Sequence, residues 1–399
     1  MRRVLQLLTS VCASITALLL LATSAHATPI AHVVGHVDVA IGSDARINYG
    51  YTAGHEQVVI LQAWETSELR RLKRDNPDVK VLMYQNASSA STSSAYDGLY
   101  PTGVSYDQAA AHHWLLENTS GQPFTFEGEN WLYAADIGSR GYQRAWAHNV
   151  VHELSQAPWD GVFIDDLNPT IRYHDCVPCV AKYPTDARYG AAMGRFARYV
   201  GRHIRAAGKL AVANIGSWDG YQHRVDHWLH WLSGAMDEEF VKVGDAPRVG
   251  YMNEATWREQ LHEVRLTQRE HKMFIGITHS SAHDRRAALY GYATELLAGA
   301  GDAIFSMTAN YSTNTWFRPY GYRIGTPVGR YRIDFRGVYQ RSFTDGEVLV
   351  NPTTRPASVA LGGAYSGCGL HGVRRVTLRP QSGLVLTAAQ PRLAASARS

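Results

Sequence analysis

The chain has 399 residues, of which 45% are hydrophobic and 19% charged, with a formal net charge of +4. That apolar content is enough for one large core or two smaller ones, and it excludes a disordered or low-complexity polymer. The near balance of 39 basic and 35 acidic residues gives no ground to expect a nucleic-acid or membrane-surface partner.

In chain order, Arg2 and Arg3 precede an apolar run ending in Ala17-Leu18-Leu19-Leu20-Leu21-Ala22, and Ala25-His26-Ala27 has the small-x-small pattern that signal peptidase accepts. Residues 1–27 are therefore expected to be a secretory signal cleaved after Ala27. The run is short for a membrane span, and no later stretch is long enough. Cleavage removes two arginines and no acid, so the charge falls to +2. The mature chain is expected outside the cell or in a periplasm, unattached to membrane and monomeric. Cys176, Cys179 and Cys368 remain after cleavage. In an oxidising compartment a local Cys176–Cys179 disulfide is expected. Zinc at this Cys-x-x-Cys is poorly supported, because a second pair is missing and only His174 lies near.

Residues 28–56 form a leader with no assignable structure. From residue 57 short apolar runs alternate with amphipathic helix patterns. The runs are 58–61, 79–84, 131–135, 161–164, 210–213, 234–236, 273–277 and 303–307, rich enough in apolar residues for strands buried on both faces. Between them, Ser105-x-x-Gln108 reads as a capping box opening a helix through Leu116. Met193, Phe196, Val200 and Ile204 repeat at helical spacing before a stop at Gly208. Val225, Trp228, Leu229 and Leu232 form another stripe. So do Trp257, Leu261 and Val264 after a cap at Asn253, and Leu289, Tyr292 and Leu296. Eight alternating units over residues 57–329 predict a (β/α)8 barrel. An open doubly wound sheet would carry a glycine-rich turn after its first strand, and Gln62-Ala63-Trp64-Glu65 has no glycine. Residues 330–390 read as short strands with turns, a small C-terminal antiparallel β-sandwich, and residues 391–399 as a disordered tail.

Barrel chemistry sits at the C-terminal ends of the strands. Those ends supply Gln62 and Trp64, Tyr84 and Asn86, Asp136, Asp165 and Asp166, Asn214 and Trp218, Asp237, Glu238 and Glu239, Thr278 and His279, and Thr308 and Asn310. Carboxylates, amides and aromatics on one rim suit a sugar, and cleavage of a glycoside needs two carboxyl groups flanking the bond. Asp165 and Glu238 are the preferred pair, with Asp166 and Glu239 as alternates. Asp165 shares a face with Phe163, and Asp166 shares one with Ile164. Apolar neighbours on both faces leave that parity open, but Asp165 reaches the rim first. Glu238 shares parity with Gly234 and Met236. Crowding among Asp237, Glu238 and Glu239 is expected to raise one of their pKa values. Trp64, Tyr84, Asn86, Asp136, Asn214, Trp218 and His279 are candidate substrate contacts. For each tryptophan singly, core or loop packing is the stronger explanation, and a structural role explains Asp136 equally well.

Asp136-Ile137-Gly138-Ser139, Trp159-Asp160-Gly161-Val162-Phe163-Ile164-Asp165-Asp166, Ala213-Asn214-Ile215-Gly216 and Gly234-Ala235-Met236-Asp237-Glu238-Glu239-Phe240, taken in this order, resemble glycoside hydrolase-like family 15, whose wider relatives include the endo-α-1,4-polygalactosaminidases. Gly346-Glu347-Val348-Leu349-Val350-Asn351-Pro352 and Gln381-Ser382-Gly383-Leu384-Val385-Leu386 resemble that group's final strands. The resemblance spans roughly residues 57–388. It implies a barrel, secretion, a polysaccharide substrate, and a catalytic pair at the ends of strands four and six, which falls on Asp165 and Glu238. No cofactor or metal is called for. Two other readings stay open: a non-catalytic carbohydrate-binding barrel, whose acids would stand too far apart, and a metal-dependent hydrolase using Asp136, Asp165, Asp166 and His279.

Overall fold

The computed structural model describes residues 37–39, 55–93, 98–126, 128–171, 180–216, 218, 225–244, 246, 249–309, 311 and 316–389. The expected signal, the Cys176–Cys179 pair and the C-terminal tail lie outside the described residues.

One sheet of eight parallel strands forms the centre: β1 (Val37–Val39), β2 (Val58–Leu61), β3 (Lys80–Asn86), β7 (Gly161–Asp165), β8 (Leu210–Asn214), β9 (Gly234–Asp237), β10 (Met273–His279) and β11 (Ala303–Thr308), hydrogen-bonded in that order. The edge strands β1 and β11 approach within 8 Å between Cα atoms, with no ladder joining them among the described residues. Seven of the eight expected runs take their places in this sheet. The eighth strand, β1, comes from the stretch read as a leader.

The remaining run, 131–135, is corrected by the structure. It belongs to β6 (Glu129–Ala134), the central strand of a small antiparallel sheet with β4 (Ser89–Ser91) and β5 (Thr125–Phe126). Along β6 burial alternates: Leu132 and Ala134 are buried, while Trp131 and Tyr133 are half-exposed. That is the pattern of a strand with one wet face, and the two aromatics made it look continuously apolar. This sheet is an excursion between β3 and the helix Arg140–Ser155. β3 then pairs directly with β7, which sets Asn86 beside Asp165 in register.

The helices pack on the outer face. Thr185 caps the helix Asp186–Ala206 by accepting the Arg188 amide at 3.3 Å, and Tyr189, Met193, Phe196, Val200 and Ile204 are its buried stripe. Burying each such side chain stabilises the fold by about 1.5–3 kcal/mol. Gly208 beyond its end has φ +73°, the left-handed conformation glycine adopts without strain. Ser105 accepts the Gln108 amide as expected, but this helix ends at Ala111, short of Leu116, because His113 turns left-handed at φ +53°. The stripe at 225–232 forms a 3₁₀ turn, Asp226–Trp231.

Residue parity separates two cores. Val162 and Ile164 of β7 join the helix-facing cluster, whereas Phe163 joins Leu82, Val212, Met236, Ile277 and Ile304 on the concave face. That assignment decides which rim residues point inward.

The C-terminal strands β12 (Arg332–Ile333), β13 (Tyr339–Phe343), β14 (Gly346–Asn351), β15 (Ala357–Gly367), β16 (Leu370–Leu378) and β17 (Ser382–Ala388) form a single antiparallel sheet in the order β12-β13-β14-β17-β15-β16. Val348, Val350 and Val385 share a core with Trp257, Tyr292 and Leu296 of the outer helices, and Leu349, Val359, Val376 and Leu386 form a second cluster. β17 passes so close to the helix Arg285–Ala298 that a Cβ on Gly383 would lie 2.5 Å from the Leu289 carbonyl oxygen. Arg341 fastens the same helix by donating from Nη1 to the carbonyls of Leu296 (2.8 Å) and Gly299 (2.7 Å). No helix among the described residues is long and apolar enough to cross a membrane.

Candidate active site

Five strands present an inward residue two places beyond a concave-face apolar one. Leu82 leads to Tyr84, Phe163 to Asp165, Val212 to Asn214, Met236 to Glu238 and Ile277 to His279. Strand periodicity thus gathers five polar side chains at one end of one face. By parity Asp165 follows Phe163 onto the concave face and Glu238 follows Met236, while Asp166, at φ +53°, leaves the strand and lines the cavity above.

Asn214 stands between the two carboxylates. Its amide nitrogen donates to Asp165 Oδ1 at 2.9 Å and to Glu238 Oε2 at 2.7 Å, so these two oxygens are at most 5.6 Å apart. The Tyr84 hydroxyl donates to the other oxygen of Asp165 at 2.5 Å. The Tyr311 hydroxyl donates to Glu238 Oε1, and His279 Nε2 lies 2.8 Å from that hydroxyl. Asn86 donates to Asp166 Oδ2, while its carbonyl oxygen accepts the amides of Ser88 (3.0 Å) and Ser89 (3.1 Å). Asn168 donates to Asp166 Oδ1 at 3.1 Å. Asp165, Asp166 and Glu238 are thus each oriented by amide or phenol donors, and His279 Nε2 stands 3.9 Å from Glu238 Oε1.

The upward pKa shifts fall on the strand-four acids. Burial, and next the charge of Glu238, pushes Asp165 from its ordinary 3.8 to about 6, with the Tyr84 and Asn214 hydrogen bonds pulling the other way. Burial and then the Asp165 charge raise Asp166. The charge of Glu238 thus acts across strands, on Asp165. Asp237 itself is buried and accepts the Glu239 amide at 2.9 Å. Burial first, then the charges of Asp165 and Asp166, keeps the Tyr84 phenol protonated, and burial and Glu238 do the same for Tyr311. Both phenols therefore remain donors at any working pH.

Backbone strain sits beside these groups. Asp166, Val241 and Tyr311 have φ of +53°, +58° and +58°. Such conformations cost about 1–3 kcal/mol each in residues other than glycine, and Val241 is β-branched. The surroundings hold Val241 there: its amide donates to Gln260 Oε1 at 2.9 Å, and its carbonyl accepts the Met252 amide at 3.0 Å. The Phe240 amide on the carbonyl of Ile277 (2.8 Å) ties the loop bearing Glu238 to β10.

Above the acids opens a cavity of ≈ 410 Å³, lined by Asp166, Asn168, Asn214, Glu238, Glu239 and His279, with Phe126, Val243, Gly244 and Ala309 among its other walls. Its size is ordinary for a small-ligand site. Asp165, Tyr84 and Asn86 lie outside that lining: Asp165 sits directly behind it, hydrogen-bonded to the lining residue Asn214 and to Tyr84, and Asn86 holds Asp166. Three expected contacts are elsewhere. Asp136 sits on the excursion after β6, buried, paired with Lys182 and accepting the Tyr183 hydroxyl at 2.7 Å. Trp218 is buried in the helix-facing core, and Trp64 packs half-buried on the same core. The four-ligand metal reading loses Asp136 in the same way, and no three His, Cys, Asp or Glu side chains converge as a ligand set among the described residues.

Tyr311, Asn168 and Phe126 were missed. Tyr311 lies three residues past β11, in a turn started by its amide donating to Thr308 Oγ1 at 2.8 Å. Phe126 arrives from the excursion, which has no periodic relation to the parallel strands.

The comparison with protein families matches residues 73–347 to the model described as hypothetical glycosyl hydrolase family 15. The chain belongs to this family. No functionally curated protein matches it in sequence. Among solved structures, the isomaltulose synthase of Klebsiella sp. LX3 is 9% identical, aligned over 90% of this chain and 99% of that one with a TM-score of 0.52. Amy13B of Eubacterium rectale is 8% identical over 89% and 94%, with a TM-score of 0.50. At these identities the likeness speaks for the fold. Family and fold together place this family 15 chain among the glycoside hydrolases.

Proposed function

We propose that the chain hydrolyses glycosidic bonds in a polysaccharide with net retention, using Asp165 as nucleophile and Glu238 as acid and base. The observation that carries this is the Asn214 amide shared between the two carboxylates, which bounds their nearest oxygens at 5.6 Å. Retaining enzymes keep their carboxyl groups about 5–5.5 Å apart, and inverting enzymes about 6.5–9.5 Å to admit a water. A binding-only barrel has no use for such a separation.

The roles follow from surroundings. Asp165 lies deeper and is fixed by two donors, which suits a carboxylate that must attack from one direction. Its value of about 6 leaves it ionised at neutral pH. The Glu238 side chain is 38% exposed, so it can exchange protons with water. In the first step an Asp165 oxygen bonds to the anomeric carbon as the bond to the leaving oxygen breaks. Glu238 gives its proton to that oxygen. In the second step Glu238, now a carboxylate, takes a proton from water while the water oxygen attacks the anomeric carbon and releases Asp165. Asn214 and Tyr84 then accommodate the changing charge on Asp165 without reorganising.

The curled sheet would close as a barrel around the β1–β11 seam. The catalytic unit would run from β1 to about residue 329, with residues 330–390 as its appended sheet. The N-terminal Arg, apolar and Ala-x-Ala pattern supports secretion of the mature chain. An Asp165→Ala variant supplied with azide tests the nucleophile. Rescued turnover giving a glycosyl azide supports the assignment, and absence of rescue in a folded variant argues for Asp166 instead.

A further inference from the structure

A second cavity, of ≈ 530 Å³, lies at the opposite end of the parallel sheet, between the helix Glu254–Arg269, the end of the helix Arg285–Ala298 and the start of the C-terminal sheet. Arg265, Arg269, Arg330 and Arg341 line it, together with Tyr331 and Leu297, and no Asp or Glu is in its lining. Among the described residues Arg265, Arg269 and Arg330 form no ion pair.

Helix ends explain part of this charge. Both helices point their carboxyl ends, with partial negative charge, toward the cavity, and a cation there is stabilising. Arg341 already serves the helix Arg285–Ala298 through Leu296 and Gly299, also donates to the Gly329 carbonyl at 3.2 Å, and feels the charge of the buried Glu295. Arg269 in the last turn of the other helix serves that end. Arg265 and Arg330 are surplus to both. The wall between them is rigid: the Gln268 side chain accepts the amides of Ala300 (2.8 Å) and Asp302 (3.3 Å) and donates to the Lys272 carbonyl at 2.8 Å. Arg265, whose Nη2 lies 3.1 Å from His262 Nδ1, joins Arg269 and Arg330 as three guanidinium groups outside any ion pair among the described residues. Beside a half-buried tyrosine ring and an apolar floor, they match an anion carried on a body with an apolar face.

We propose that this cavity binds an acidic saccharide through its carboxylates, uronate units being the class that fits. Guanidinium forks engage a carboxylate with two parallel hydrogen bonds, and Tyr331 and Leu297 offer a surface to the pyranose face. The choice of a saccharide rests on the glycoside hydrolase reading above. The site is remote from catalysis. Gln268 ties it to Lys272, just before β10, and His279 is at the far end of that strand, roughly 20 Å away at the usual rise. It would hold a distant part of a polymer and would take no part in cleavage.

The test is calorimetric titration of the full mature chain, at low ionic strength, with an oligogalacturonate, a neutral galactose oligosaccharide of equal length, and inorganic phosphate. Saturable binding of the oligogalacturonate is expected, with the neutral oligosaccharide and phosphate each at least tenfold weaker. The double substitution Arg269→Ala/Arg330→Ala should weaken oligogalacturonate binding at least tenfold while lowering the thermal unfolding temperature only slightly, since both side chains are exposed and only Arg269 serves a helix end. Glu238→Gln should bind the oligogalacturonate as the parent does. Absence of binding, equal binding of phosphate, or indifference to the double substitution overturns the proposal. Loss of binding in Glu238→Gln overturns it too, by moving the ligand to the catalytic cavity. Failure of the hydrolase reading would appear instead as an absence of turnover, with these titrations unaffected.

Discussion

Replacing Asp165 by Asn should abolish turnover and yet stabilise the protein at neutral pH. The folded chain binds the Asp165 proton more tightly than the unfolded chain, since burial and Glu238 raise its value from 3.8 to about 6. Charging this group therefore costs the fold nothing below the unfolded value. The cost grows as pH rises through the folded value, and it is fully present above it. At 1.36 kcal/mol per unit the ceiling is ~3 kcal/mol, and partial exposure of the carboxyl reduces it to ~2 kcal/mol. Asparagine keeps the local hydrogen bonds, because its carbonyl can accept from Asn214 and its amide can donate to the Tyr84 oxygen. Thermal unfolding of parent and variant at about pH 4 and about pH 7.5 is the assay. A gain of roughly 2–5 °C is expected at the higher pH, and almost none at the lower. An equal shift at both pH values, or a less stable variant at the higher one, would refute the electrostatic account of Asp165.

Glu238→Gln should lower kcat by roughly 10²–10⁴ with little change in KM, read from initial rates, because it removes a proton donor and leaves the contact surface in place. The kcat/KM profile should fall on its acid side with an apparent pKa near 6, belonging to the Asp165–Asp166–Glu238 group as a whole. Tyr311→Phe should cost about tenfold in kcat at unchanged circular dichroism, since it removes one oriented donor from Glu238. Gly383→Val should destabilise the chain by at least about 2 kcal/mol in urea titration, because its Cβ would meet the Leu289 carbonyl at 2.5 Å and Ala293 Cβ at 2.6 Å.

The site was legible wherever chemistry coincides with strand period. Tyr84, Asp165, Asn214, Glu238 and His279 each close a short apolar run, and position alone marks them as rim residues. Parity could not be read for β7, because Val162, Phe163 and Ile164 are apolar on both faces, as strands buried between outer helices and a concave-face core must be. The order of strands failed at two places for physical reasons. Val37-Asp38-Val39 is too short to carry a period, and Trp131-Leu132-Tyr133-Ala134 looks continuously apolar although only Leu132 and Ala134 are buried. The two errors offset each other, so Asp165 still ends the fourth strand of the sheet and Glu238 follows the sixth. Asp136 was promoted by the misplaced strand and falls with it. Tyr311 was invisible for the opposite reason: it reaches Glu238 from a left-handed turn past the last strand, where no periodic rule applies. Trp218 and Trp64 show that aromatic content says little about sugar stacking until burial is known.

The most direct test of the paired-carboxylate account is reducing-end release by the purified mature chain across a panel of neutral and acidic polysaccharides, beside folded Asp165→Asn and Glu238→Gln. The account predicts cutting of at least one polymer by the parent and loss of at least about a hundredfold in each variant. Cutting that survives both substitutions, or saccharide binding with no cutting by the parent, would contradict it.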